Sequence, residues 1–145
     1  MTEIKIGGRV IPLYYSTFEM IAIQEEVGCT SFELNDKVFG IVREDEDNPE
    51  DVRFDIVKDK DKIKNLSKLI RILGNAGLEE KGEEPDLTEK WILRNIKPPY
   101  IIPYSVMVLK EIYEGNKMET PAEENKDTPV DEGLEEINAK KQQGN

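Results

Sequence analysis

The densest run of potential chemistry in the chain is Glu44-Asp45-Glu46-Asp47-Asn48-Pro49-Glu50-Asp51, with six carboxylates in eight residues. Carboxylates at that density raise the question of a calcium loop, which takes oxygen ligands at positions 1, 3 and 5 and a glycine at 6. Counting from Asp45, position 5 is Pro49 and position 6 is Glu50, so the spacing fails. The run reads as a solvated acidic loop, the usual fate of a block of like charges. Gly7-Gly8 and Gly74-Asn75-Ala76-Gly77 lack the spacing of a phosphate cradle. They read instead as a turn and a helix stop, the ordinary uses of glycine. Cys29 is the sole cysteine and falls just past a helix C-terminus, where the dipole raises a thiol pKa, so its expected role is structural. Trp91, the sole tryptophan, lies on an apolar helical face. Core packing is its default, and a partner-facing hot spot the alternative. Histidine is absent, which removes Ser–His and Cys–His nucleophile pairs and every His-containing zinc site. No catalytic, cofactor-binding or metal-ligating residue is predicted, and no cofactor.

The setting of these residues is acidic. Of 145 residues, 31 are Asp or Glu and 20 are Lys or Arg, a formal charge of −11. Charged residues make up 35% and hydrophobic ones 37%, against about 25% and 45–50% in an average globular domain. That balance argues against binding nucleic acid through a basic surface. No apolar run reaches the roughly 18 residues of a membrane span. The start Met1-Thr2-Glu3 lacks a basic n-region and a long apolar h-region, so no secretory signal is expected. A single cysteine suits a reducing cytoplasm. The charge is also uneven. Residues 119–145 hold 8 acidic and 3 basic side chains and no aromatic. Such a stretch buries too little apolar surface to offset its ordering entropy. The predicted organisation is therefore a folded domain over 1–117 and a disordered acidic tail over 118–145.

The elements of the folded part follow from periodicity. Glu3–Ile6 and Arg9–Leu13 around Gly7-Gly8 predict a β-hairpin, with Pro12 at an edge or strand end. Ser16-Thr17-Phe18-Glu19 is a capping box opening a helix to about Val27, with Phe18, Ile21 and Ala22 on its apolar face, Ile23 and Val27 widening it, and Gly28 as its stop. A second hairpin, about 38–43 with 52–57, is expected around the acidic loop, and a short helix at 31–39 is open. From Asp61, the residues Ile63, Leu66, Leu69, Ile70 and Leu73 take helical spacing, with Gly74 and Gly77 closing the helix. Glu79–Pro85 is a charged linker. Asp86-Leu87-Thr88-Glu89 is read as a capping box before a short helix with Trp91, Ile92 and Ile96 on one face, ended by Pro98-Pro99. A last helix begins between Pro99 and Pro103, with Ile102, Val106, Leu109 and Tyr113 as its buried stripe and Gly115 at its end. Tyr100–Leu109 is apolar on nearly all sides and reads as a central core helix, with a partly partner-facing surface as the alternative. The predicted class is α+β: one or two hairpins packed on a small bundle of about four helices, with the acidic tail outside it.

The tail has a pattern of its own. Within Asp131–Lys141, Leu134 and Ile137 are i, i+3 neighbours, and Glu136 with Lys140 is an i, i+4 pair in the favourable order. About ten residues are too few for a stable helix in water, but enough to fold on a partner near 131–141. Leu134, Glu135, Glu136, Ile137 and Lys140 are therefore the candidate partner-binding residues.

The order of features resembles the tail assembly chaperones of long-tailed phages and prophages of Gram-positive hosts. Ile4-Lys5-Ile6-Gly7-Gly8-Arg9-Val10-Ile11-Pro12-Leu13 is similar to the family's opening I-x-I-N-G-K-x-x-x-L hairpin. Ser16–Gly28 is similar to its F-x-x-L-x-x-[I/L]-E-E-x-[T/F]-G helix, and the helices at 63–77 and 88–114 follow its usual architecture. Asp131–Lys141 is similar to a closing D-x-x-L-E-E-[I/L]-x-x-K-K, whereas 31–61 departs, its acidic loop being longer. The resemblance implies a non-enzymatic protein of the bacterial host cytoplasm, absent from the finished virion. It would coat the tape measure protein, keep that protein's hydrophobic helices soluble and recruit tail tube subunits. A frameshifted longer form of the chain is a further implied partner; nucleic acid and membrane are not. Two other classes compete: an acidic DNA mimic filling the basic groove of a nuclease or polymerase, and a carboxylate–metal enzyme.

Overall fold

A computed structural model describes residues 1–43, 47 and 52–118 of the chain. The expected C-terminal tail and most of the acidic loop lie outside the described residues. Among the described residues, two antiparallel hairpins and four α-helices form an α+β fold around one hydrophobic core.

Strands β1 (Thr2–Ile6) and β2 (Arg9–Leu13) pair with Ile6 opposite Arg9 and Ile4 opposite Ile11. A two-residue turn of this hand needs positive φ at both central positions, and Gly7 and Gly8 supply +58° and +79°. Alternation turns Ile4, Ile6, Ile11 and Leu13 into the core and Lys5 and Val10 outward. Pro12 faces Glu3, one step out of phase with the closing pair. Such positions do not exchange ladder bonds, so the missing N–H costs nothing across the pair. The far side of β2 backs onto the longest helix, where the Tyr14 N–H donates to the Leu73 carbonyl at 3.0 Å.

Helix α1 (Thr17–Glu26) starts where the capping box places it, with the Ser16 N–H donating to Glu19 Oε1 at 3.0 Å. Its buried side is only partly the expected one: Ile23, Ala22 and Val27 face the core, and Phe18 and Ile21 do not. Ile23 is 1% exposed and Glu19 is buried, whereas Phe18 is 78% and Ile21 49% exposed. The folded-back Glu19 turns the 19/23 row inward, and Phe18 and Ile21 point away. A 3₁₀ turn (Ser31–Glu33) and a short π-helical turn (Asn35–Phe39) occupy the region left open for a helix. Strands β3 (Ile41–Arg43) and β4 (Val52–Phe54) make the second hairpin, three residues a side and shorter than predicted.

Helix α2 (Lys60–Glu80) is the axis of the fold, capped by Asp59, whose carboxylate accepts the Asp61 and Lys62 N–H groups at 2.9 and 3.3 Å. Leu66, Leu69, Ile70 and Leu73 are buried along it as spaced. Gly74 and Gly77 do not close it. They are interior residues, where glycine costs about 1 kcal/mol relative to alanine. Close approach explains them: a Cβ on Gly74 would lie 2.5 Å from Leu87 Cδ1, and one on Gly77 2.0 Å from the Pro12 carbonyl oxygen. The glycines let the hairpin and the loop before the next helix press against the α2 backbone.

Helix α3 (Glu89–Asn95) is capped by Thr88, whose hydroxyl accepts the Trp91 N–H at 3.1 Å. Asp86 is not the cap; its carboxylate pairs with Arg9 at 2.8 Å, tying the loop to the hairpin. Asn75 holds the Leu87 backbone from both sides, accepting its N–H at 3.0 Å and donating to its carbonyl at 3.3 Å. Helix α4 (Ile101–Gly115) lies along β1. Its buried row is Ile101, Ser105, Val108 and Ile112, one position back from the predicted stripe; Val106 and Tyr113 are exposed, and Ile102 and Leu109 are half-buried. Two polar anchors set that rotation: buried Glu111 accepts the Thr2 N–H at 2.9 Å, and the Tyr104 hydroxyl donates to the Lys5 carbonyl. The apolar stretch Tyr100–Leu109 is thus core on one side only.

Candidate interaction surfaces

Two grooves flank α2, and Arg71 stands between them. Its guanidinium donates to Glu89 on α3 at 3.1 Å through Nε and to Glu26 on α1 through Nη2, so three helices are clamped at one side chain.

The first groove, about 290 Å³, lies between α1 and α2. Ala22, Ile72 and Ala76 form its floor, and Phe18 stands at its edge as a largely exposed aromatic. Glu79 and the Arg71-bound Glu26 border it, with Arg71 itself in the lining. The second groove, about 750 Å³, lies between α2 and α3. Lys64, Lys68, Lys90 and Arg94 line it, with half-exposed Leu93 among them. Its acids are Asp61 and the Arg71-bound Glu89.

The other residues singled out by type have structural surroundings. Cys29 is buried, and desolvation, aided by Glu33 and opposed by Lys37, pushes its thiol pKa upward. Burial rather than a helix dipole is thus the leading cause. Trp91 is half-buried on α3, with the Arg9 guanidinium carbon 6.0 Å from its ring centroid. Gly7-Gly8 is the hairpin turn. Of the acidic run, only Asp47 is among the described residues. The candidate partner-binding residues Leu134, Glu135, Glu136, Ile137 and Lys140 lie outside them. Among the described residues, no three Cys, Asp or Glu side chains group to hold a metal ion, and no helix is long and apolar enough to cross a membrane.

Neither groove was anticipated from the sequence. Helical spacing puts Phe18 on the apolar face of α1, whereas the fold leaves it largely exposed. The basic groove had a signal, since Lys64/Lys68 and Lys90/Arg94 are both i, i+4 pairs, but nothing in linear order says that two such pairs face one cleft. No family model matches the chain, and no curated protein or solved structure matches it significantly.

Proposed function

We propose that this protein is a non-enzymatic assembly chaperone of long-tailed phage morphogenesis, which binds the tape measure protein, keeps it soluble and helps recruit tail tube subunits. The supporting observation is the α1–α2 groove: an exposed Phe18 beside an apolar floor of Ala22, Ile72 and Ala76, with Glu79 and the Arg71-bound Glu26 at its border. An aromatic left 78% in water beside an apolar recess offers a surface on which the apolar face of an amphipathic helix can dock. The matching ligand is an amphipathic helix with small apolar anchors and basic flanks, repeated many times along a long helical protein. The reading takes that ligand to be the tape measure protein, from the resemblance of the opening hairpin and α1 to tail assembly chaperones. The net charge of −11 would keep a multi-copy coat in solution. An acidic DNA mimic is less well supported, because the cluster of Lys64, Lys68, Lys90 and Arg94 would repel a basic nucleic-acid-binding groove.

Co-expression with a phage tape measure protein tests the reading. Rescue of that protein's solubility and its co-purification are expected. Phe18→Asp should abolish both while leaving the thermal transition of the free chaperone unchanged. Failure of the unaltered chain to rescue or co-purify would sink the assignment.

A further inference from the structure

We propose that the basic α2–α3 groove is the docking site of the chain's own segment Asp131–Ile137, held intramolecularly. The groove carries four cations, Lys64, Lys68, Lys90 and Arg94, in a protein of net charge −11. Among the described residues, Lys64, Lys90 and Arg94 form no ion pair, and Lys68 donates only to the Glu26 carbonyl, at 3.3 Å. Of the two acids present, Glu89 is already taken by Arg71. With Asp61 as the remaining acid against four cations, the groove is a cleft of net positive charge, and Leu93 gives it an apolar point.

The segment Asp131-Glu132-Gly133-Leu134-Glu135-Glu136-Ile137 has the complementary composition: four carboxylates and two apolar side chains spaced i, i+3. Four acids against four cations, with Leu134 and Ile137 available to Leu93, match in sign, number and apolar content. Reach is sufficient. Asp131 lies thirteen residues beyond Met118, and a chain of that length spans up to about 45 Å. A 118-residue body has a radius of gyration of about 13–14 Å, hence a diameter of about 35 Å and a half-circumference of about 55 Å, so a reach of about 45 Å covers most of its surface. A tether this short also holds the segment at an effective concentration of about millimolar, which favours the chain's own groove over that of a second copy in dilute solution. The contact is separate from whatever fills the α1–α2 groove. Its consequence is competition: an acidic partner reaches Lys90 and Arg94 only by displacing the segment.

Paramagnetic relaxation in the full chain tests this. A nitroxide is attached at Gln142→Cys, Cys29 being buried and its thiol pKa raised. At low salt, amide signals of residues 64–68 and 89–94 should be broadened severalfold more than those of the α1–α2 groove. The effect should be lost in Lys90→Glu/Arg94→Glu and in Glu135→Lys/Glu136→Lys. It should return when the four substitutions are combined, a rescue that a merely misfolded variant could not give. It should fade as salt shortens the Debye length to a few ångströms. Broadening that is absent, spread evenly over the body, or unchanged by the reversals would overturn the proposal. So would dependence on protein concentration, which would place the segment on a second copy.

Discussion

Replacing Gly77 by alanine separates two meanings of a glycine in a helix by the sign of the effect. If Gly77 were an ordinary interior glycine with room around it, alanine would stabilise α2 by about 1 kcal/mol. In this fold the new methyl carbon would sit 2.0 Å from the Pro12 carbonyl oxygen and 2.5 Å from its carbon. The obstacle is backbone of β2, tied to β1 by the hairpin and to α2 by the Tyr14–Leu73 bond, so no side-chain rotation relieves it. Overpacking costs of about 1–3 kcal/mol apply, and rigid backbone puts this case at the upper end. Subtracting the helix gain leaves a net loss of about 2 kcal/mol. For a body of this size that is roughly a 10 °C fall in melting temperature. The assay is urea unfolding of the full chain followed by circular dichroism and Trp91 fluorescence, with an unchanged m-value expected. At Gly74 the nearest atoms are the ends of the Leu87 and Ile11 side chains, so Gly74→Ala should cost less than Gly77→Ala. A Gly77→Ala protein as stable as the parent, or more stable, would refute the close packing of β2 on α2.

Three further outcomes can be checked directly. Phe18→Ser, at a largely exposed position, should change stability by less than about 0.5 kcal/mol while removing partner binding; unfolding curves beside pull-down yields measure the two. Cys29 should react with a thiol reagent at pH 8 far more slowly than free cysteine and at full rate in denaturant, because burial disfavours its thiolate; fast native labelling would contradict that packing. Asp59, held low by the Asp61 and Lys62 N–H groups, and Asp86, held low by Arg9, have folded pKa values below their unfolded ones. Their stabilisation is complete above the unfolded carboxylate range near 4 and fades as pH falls through the folded values. Melting temperature should drop below about pH 4, and Asp59→Asn, which still accepts the capping bonds, should flatten that drop.

Sequence order alone set the parts of this protein whose causes are local. Gly7-Gly8 dictates the tight turn, Ser16 and Glu19 the start of α1, and the Ile63–Leu73 spacing the inner face of α2. Each rests on interactions within about four residues, which composition and spacing report faithfully. The missing histidines and solitary cysteine likewise removed whole classes of chemistry before any coordinates. What only the tertiary structure decided is which way the outer helices turn and what their backs meet. α1 and α4 are apolar on several sides, so periodicity alone allows more than one rotation. Buried Glu19, and Glu111 reaching the Thr2 N–H, chose the one that leaves Phe18 and Val106 in water. Gly74 and Gly77 look like a stop in one dimension, because a stop is glycine's commonest local use. The actual cause at Gly77 is a carbonyl sixty-five residues earlier in the chain, at Pro12, and at Gly74 the side chains of Leu87 and Ile11. The basic cleft is of the same kind: two lysine- or arginine-bearing turns, unremarkable on separate helices, become one field of positive charge when α2 and α3 pack side by side.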